Sequence, residues 1–227
     1  MTEKEQISLL KWDTDFFGFK TGKLNLIDEE LGNLLCICKK KEFRLVYLFS
    51  DPENKSLHEK CRQNGGILVD EKVTFEKKPV QSDPIAKDIE FYKLSLPEVK
   101  LYDLALQSGV YSRFNLDHNF TRDIFPKMYK EWIEKSVNGI MADKVLVYKV
   151  DNSIAGFVSL SLKKDFAQIG LIAVDSKFRN KSIGKKLIQA SEKICLDKNV
   201  NNLVVVTQKA NSIEFFTTQF STQRDFK

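Results

Sequence analysis

The sequence predicts an α/β protein of two modules, the second built on a mixed, largely antiparallel sheet flanked by helices. Two observations predict the class. Apolar residues recur at helical spacing in some segments and alternate, or run continuously, in others. The two kinds of segment are interleaved along the chain, as in layered α/β architectures. A third observation divides the chain: Lys77 to Asp88 (KKPVQSDPIAKD) is polar, holds two prolines and reads as a linker. With 227 residues and about 100–200 residues per domain, the expected domains are a small α/β domain over 1–80 and a larger one over 81–227.

In the first module, Leu24 to Ile27 is a short apolar stretch before Asp28-Glu29-Glu30, whose acids suit the positive end of a helix. Leu31, Leu34, Leu35 and Cys38 then recur at helical spacing. Arg44 to Ser50 is a continuous apolar run, as expected of a buried strand. Asp51-Pro52 suits a helix start, with Asp as cap and Pro in the first turn. Gly65-Gly66 ends that helix, and Ile67 to Phe75 reads as a further strand.

The second module opens with a helix near Pro97–Ser108, then an aromatic loop from Tyr111 to Phe120. A helix follows from about Pro126 to Val137, with Met128, Tyr129, Trp132, Ile133 and Ser136 on one face. From Lys144 the period changes to two. Val145–Val150, Ile154–Leu162 and Ala167–Val174 are strands joined by Asp151-Asn152 and Lys163-Lys164-Asp165, which predicts an antiparallel meander. The basic segment Ser176–Lys186 leads into a helix ending near Lys198, with Ile183, Leu187, Ala190 and Ile194 on its apolar face. Leu203–Thr207 is a buried strand, and a last helical stretch begins near Asn211.

Composition excludes several classes. Hydrophobic residues at 42% and charged residues at 30% support a folded core rather than disorder. No apolar run approaches the ~20 residues of a membrane span and MTEKEQ has no signal-peptide profile, so no membrane association and a cytoplasmic location are expected. Net charge is +5, with −1 on residues 1–85 and +6 on 86–227. That excess is too small to name a nucleic acid, and it fits an anionic small ligand held by the second half. Cys36, Cys38, Cys61 and Cys195 lack the spacing of a metal site, so free buried thiols and no metal are expected.

The chemistry concentrates in Ser176-Lys-Phe-Arg-Asn-Lys-Ser-Ile-Gly-Lys-Lys186, which has five basic residues and no acid between a strand and a helix. Free N–H groups and the positive helix end make such a place a phosphate site. Gly184 would let the backbone come close to a pyrophosphate. The same segment can equally be read as a solvated basic turn before an amphipathic helix. Neither the G-x-x-x-x-G-K-[ST] nor the G-x-G-x-x-G spacing is present.

Val174 to Leu187 resembles the acetyl-CoA loop of the GNAT N-acetyltransferase superfamily, whose pattern is Arg/Gln-x-x-Gly-x-Gly/Ala. Arg179 and Gly184 match, and Ser182 stands where the first glycine is usual. The order of meander, loop, helix, strand and Asn-led helix agrees, over about residues 86–216. Trp12-Asp-Thr-Asp-Phe-Phe-Gly18, Ser112-Arg-Phe-x-x-Asp117 and Trp132-Ile133 look like the TDP-fucosamine acetyltransferase group. Members of that group acetylate a nucleotide-linked 4-amino-4,6-dideoxyhexose and carry a small domain before the GNAT domain.

The resemblance implies a cytoplasmic acyltransferase that moves acetyl from acetyl-CoA to a small amine, with no nucleic acid partner. It implies that backbone groups of Leu171, Ile172, Ala173 and Val174 hold the thioester and pantetheine arm. Arg179, Asn180, Lys181, Ser182, Ile183, Gly184 and Lys185 would hold the pyrophosphate, and Asn211 would meet the pantetheine, although it also suits an ordinary helix cap. Arg113, Phe114, Asp117 and Phe120 would bind the acceptor, or else form a surface loop packed on the core. The family's tyrosine acid is missing: Phe216 and Thr218 stand nearest its position, so the catalytic residue is unassigned. The usual C-terminal strands are also missing, which predicts an open sheet edge, an unfinished acceptor site, and a homodimer to cover the edge. Two other classes remain open: an acyl-CoA-binding protein with little catalysis, and a phosphate- or nucleic-acid-binding module.

Overall fold

The computed structural model describes residues 6–25, 31–80, 84–211, 213–220 and 222–225. The chain divides into two compact units, 1–68 with 225–227, and 69–224.

The first unit carries a three-stranded sheet. Strand β1 (Ile7–Leu9) pairs antiparallel with β2 (Thr21–Leu24), and β2 pairs parallel with β3 (Leu45–Leu48). Helix α1 (Lys11–Phe17) joins the first two strands, with Trp12 stacked on Phe16 at 5.2 Å. Gly18 closes it at φ 73°, a left-handed conformation that glycine adopts without a Cβ penalty. Sequence periodicity missed β1 and α1. Helix α2 (Leu31–Lys40) buries Leu31, Leu34 and Cys38 as expected, while Cys36 is exposed rather than buried. The expected acidic first turn, Asp28–Glu30, falls outside the described residues. Helix α3 (Lys55–Gln63) is capped by Asn54, whose side chain accepts from the Leu57 N–H. Asp51 does not cap it: its carboxylate accepts from the Glu53 N–H and forms a turn ahead of the helix.

The second unit is built on a seven-stranded sheet in the order β10-β4-β9-β8-β7-β6-β5. Strand β4 (Lys72–Lys77) was expected in the N-terminal domain; it instead pairs antiparallel with β9 (Leu203–Gln208) along its whole length. The division therefore falls at 68/69, and the expected linker lies inside the second unit, where Ile85 and Ala86 pack on its core. The expected open edge on β9 is thus filled by β4, with β10 (Thr222–Asp225) beyond it. Long-range pairing of this kind leaves no local signal in sequence. The edge for which a homodimer was expected needs no such cover.

On the other side, β6 (Lys144–Val150), β7 (Ser153–Leu162) and β8 (Ala167–Val174) form the antiparallel meander that alternation predicted, and β5 (Ile89–Phe91), a strand the sequence pattern did not announce, pairs antiparallel with β6. Helices α4 (Val99–Ser108), α5 (Arg113–Leu116) and α6 (Ile124–Val137) lie in the connection from β5 to β6. Leu101, Leu104 and Ile133 share one cluster with Val145, Val147 and Phe157. Helix α7 (Ile183–Asp197) buries Ile183, Leu187, Ala190 and Ile194 in a second cluster with Phe75, Leu160 and Ile169. Helix α8 (Ile213–Gln219) follows β9.

Strands β8 and β9 run parallel but pair only from Ala167/Leu203 to Ile169/Val205. Beyond that point each continues without the other. This opens the sheet at its carboxyl end, where α/β sheets commonly receive ligands.

Candidate functional site

The opening is prepared by a bulge on β8. Gly170 and Leu171 together face the single residue Ser159 of β7. The Ser159 hydroxyl, on a residue 2% exposed, accepts the Leu171 N–H at 2.8 Å. A Cβ on Gly170 would stand 3.0 Å from that oxygen, so the close approach favours glycine. Leu171 is therefore a support of the bulge, and its N–H is already bonded. Ser159→Ala should cost about 1–3 kcal/mol, since it strands this N–H; urea unfolding of the variant checks it.

A cleft of about 440 Å3 lies where the two strands part. Ile172, Ala173 and Val174 line one side, and Asn211 lines the other. The Asn211 amide donates to the Thr207 hydroxyl at 3.2 Å and to the Ser108 carbonyl at 3.4 Å, tying the end of β9 to the end of α4. It is a strut across the cleft wall. Phe215 of α8 covers another part of the wall.

The basic segment forms the cleft's other wall. A 3-10 turn (Ser176–Phe178) leads from β8 toward α7. Asn180 and Ser182 have φ of 60° and 58°, a left-handed region that favours glycine. The serine in place of the family pattern's first glycine thus occupies the conformation that glycine would. The first bond of α7 runs from the Lys186 N–H to the Ser182 carbonyl. The N–H groups before it have no acceptor within the helix and give this end its positive polarity. Arg179, Asn180, Ser182, Ile183, Gly184 and Lys185 all line the cleft. Lys181 does not: its ammonium lies over the Phe178 ring at 5.3 Å. The Arg179 side chain donates to the Val174 carbonyl at 3.3 Å, bracing the loop on its own strand.

Gly184 is the tightest point. A Cβ there would stand 2.8 Å from the Phe215 ring, so the helix end and the aromatic wall meet through a bare backbone. The segment is anchored by Asp175, which is 3% exposed. One carboxylate oxygen accepts the Lys177 N–H at 2.8 Å and the other pairs with the Lys100 ammonium from α4. The Lys100 bond, with the Lys177 N–H second, holds the Asp175 carboxyl below its ordinary value. Nothing in the local sequence of Asp175 announces this partner, which is 75 positions away.

The expected acceptor residues lie elsewhere. Phe114 is buried and packs against Phe120 and Trp132 at centroid distances of 5.8 and 5.9 Å. The Arg113 guanidinium lies 4.3 Å from the Phe114 ring centroid and 3.7 Å from the Asp70 carboxylate. Asp117 accepts from the backbone and side chain of Asn119 in a local turn. None of the four lines the cleft. Phe216 borders the cleft but is buried and stacks on Phe75, while Thr218 returns its hydroxyl to the Phe215 carbonyl. Among the described residues no Asp, Glu, His, Tyr or Cys lines the cleft, and none form a cluster fit to hold a metal ion.

A parted pair of parallel strands beside a basic loop and helix end can receive an extended chain bearing a pyrophosphate. Residues 110–220 match the sequence profile of the acetyltransferase (GNAT) family. The second unit's mixed, largely antiparallel sheet flanked by helices is GNAT-like. Among solved structures, a functionally unknown conserved protein from Staphylococcus epidermidis is similar at TM-score 0.59 and 17% identity, over 91% of this chain and 81% of that one. A GCN5-related N-acetyltransferase from Sphaerobacter thermophilus is similar at TM-score 0.50 and 13% identity, over 85% and 64%. At such identities the likeness concerns the fold alone. The uncharacterized protein YxbD of Bacillus subtilis (strain 168) is 31% identical over 61 residues, 27% of this chain and 37% of that protein. The match thus spans little more than a third of that relative's length. Among the described residues no helix is long and apolar enough to cross a membrane.

Proposed function

We propose that the chain is an acetyl-CoA-dependent N-acetyltransferase acting on a small amine. The observation that carries this reading is the continuity of the GNAT-type strand opening with the basic loop at the start of α7. The Ile183–Lys185 amides and the charges of Arg179 and Lys185 would meet the pyrophosphate. Ile172, Ala173 and Val174 would flank the pantetheine arm, with Asn211 opposite. The amine would attack the thioester directly. A thiol of pKa ~8.5 leaves as a thiolate with little assistance, so the missing tyrosine is compatible with turnover.

The specific acceptor proposed is an amino sugar of the nucleotide-linked 4-amino-dideoxy class, supported by the Trp12–Gly18 and Ser112–Asp117 segments. Arg113 would have to leave Asp70 to hold its phosphates, so the amine is the better supported part of that proposal. A cytoplasmic location is proposed with it. A homodimer, if formed, would use a surface other than the edge of β9.

The test is calorimetric titration with acetyl-CoA, followed by thiol release in the presence of amines. One-to-one binding weakened by Arg179→Ala, with thiol released only when an amine is added, is the expected result. The second reading, an acyl-CoA-binding protein without catalysis, is favoured by the lack of an acid or base on the cleft wall. It predicts binding with no thiol release.

A further inference from the structure

We propose that Arg179 sets which thioester the cleft accepts. It favours a pantetheine arm that carries a diphosphate, as acetyl-CoA does, and disfavours one that carries none, as in acetylpantetheine. This rests on the acetyl-CoA reading of the cleft.

Strand geometry turns the Val174 carbonyl toward the cleft. Val174 stands opposite Gly156 in the β7–β8 ladder, and the next N–H along, that of Asp175, donates to the Ala155 carbonyl at 2.9 Å. Successive residues of an antiparallel strand turn their backbone groups to opposite sides. Asp175 therefore faces β7, and Val174 faces away from it, as does Ile172 two residues back. On that side β9 has left the ladder, because its pairing with β8 stops at Ile169/Val205. Among the described residues, the outward backbone groups of Ile172 and Val174 have no strand beside them, and both residues line the cleft. A pantetheine arm carries secondary amides, whose N–H groups suit these carbonyls as those of an added strand would.

Arg179 already occupies one of the two. Its Nε–H donates to the Val174 carbonyl at 3.3 Å, from an exposed side chain that itself lines the cleft. This bond lies just beyond the usual length and its acceptor is neutral. The charged oxygens of a diphosphate bind a guanidinium about twice as strongly, and through two bonds at once. A ligand with a diphosphate therefore draws Arg179 off Val174 and leaves that carbonyl to a pantetheine N–H. A bare pantetheine arm offers the guanidinium nothing and has to displace it unaided. The same side chain thus lends affinity to one thioester and takes it from the other.

The experiment titrates the full chain, wild type and Arg179→Ala, with acetyl-CoA and with S-acetylpantetheine. Calorimetry reads the first ligand, and displacement of acetyl-CoA reads the second. Arg179→Ala should bind acetyl-CoA about tenfold or more weakly, yet bind acetylpantetheine about two- to tenfold more tightly, the worth of one hydrogen bond. Loosening of the loop alone would weaken both, so the opposite signs are the mark of the exchange. An acetylpantetheine analogue with ester oxygens in place of its amide N–H groups should show no gain, since it has no donor for Val174. Thermal melting of the variant checks its fold. Acetylpantetheine bound no more tightly by the variant than by wild type overturns the proposal, as does unchanged acetyl-CoA affinity. An equal gain with the ester analogue also overturns it, because relief of crowding would then be the cause. Failure of folded wild type to bind either thioester overturns the acetyl-CoA reading itself.

Discussion

Gly184→Val should weaken acetyl-CoA binding by about ten- to a hundredfold, the equivalent of one lost charge-assisted hydrogen bond of about 1.5–3 kcal/mol. The new side chain begins 2.8 Å from the Phe215 ring. Either the ring moves into the cleft or the first turn of α7 moves away from it. Both displacements disturb the Ile183–Lys185 amides on which the pyrophosphate reading depends. Calorimetric titration of the variant checks this, with thermal melting as a control for folding. Adding Phe215→Ala separates two causes. Recovery of affinity in the double variant identifies the clash with the ring; persistent loss identifies the Cβ itself as the obstacle to the ligand. Unaltered affinity in Gly184→Val would remove α7 from the site.

Asp175→Ala should lower stability at neutral pH by about 2–3 kcal/mol. Truncating one member of a fully buried pair costs about 3–5 kcal/mol, and the partial exposure of Lys100 reduces that figure. The variant strands the Lys177 N–H and leaves the Lys100 ammonium without its carboxylate. The pH dependence has a definite sign. The folded carboxyl is held below its ordinary value of 3.8, so its contribution is complete above that pH and is lost as pH falls through the lower, folded value. Urea midpoints of wild type and variant should differ most near neutrality and converge in acid. A constant difference across that range would mean that packing, not charge, accounts for the effect.

Much of the second unit was legible because its elements announce themselves locally. The β6–β8 meander follows from two-residue alternation with Asp151-Asn152 at a turn where both residues take positive φ. The buried face of α7 follows from four apolar residues at helical spacing. The basic loop followed from charge density between a strand and a helix. Three of the failures share one physical cause, which is partners distant in sequence. Asp175 looks like any turn acid until Lys100 is brought beside it. Arg113 and Phe114 look like a binding loop until Asp70 and Trp132 claim them. Val73 and Phe75 suit a strand in either unit, and only the pairing with β9 decides which.

That pairing governs how the chain can be made. Lys72 leaves the ribosome long before its partner Gln208, and every residue of the meander emerges between them. During that interval Val73 and Phe75, 3% and 1% exposed in the finished protein, have no sheet to join. Closing so long a loop adds only slowly to the entropic cost, about 0.6 kcal/mol per doubling of length. It does make assembly of this edge a late, slow step. A fragment cut to the family-matched residues 110–220 would lack β4 altogether. It would present the edge of β9 bare and lose Asp70 as well. Recombinant work on the second unit therefore has to begin upstream of residue 69, whatever the family boundary suggests.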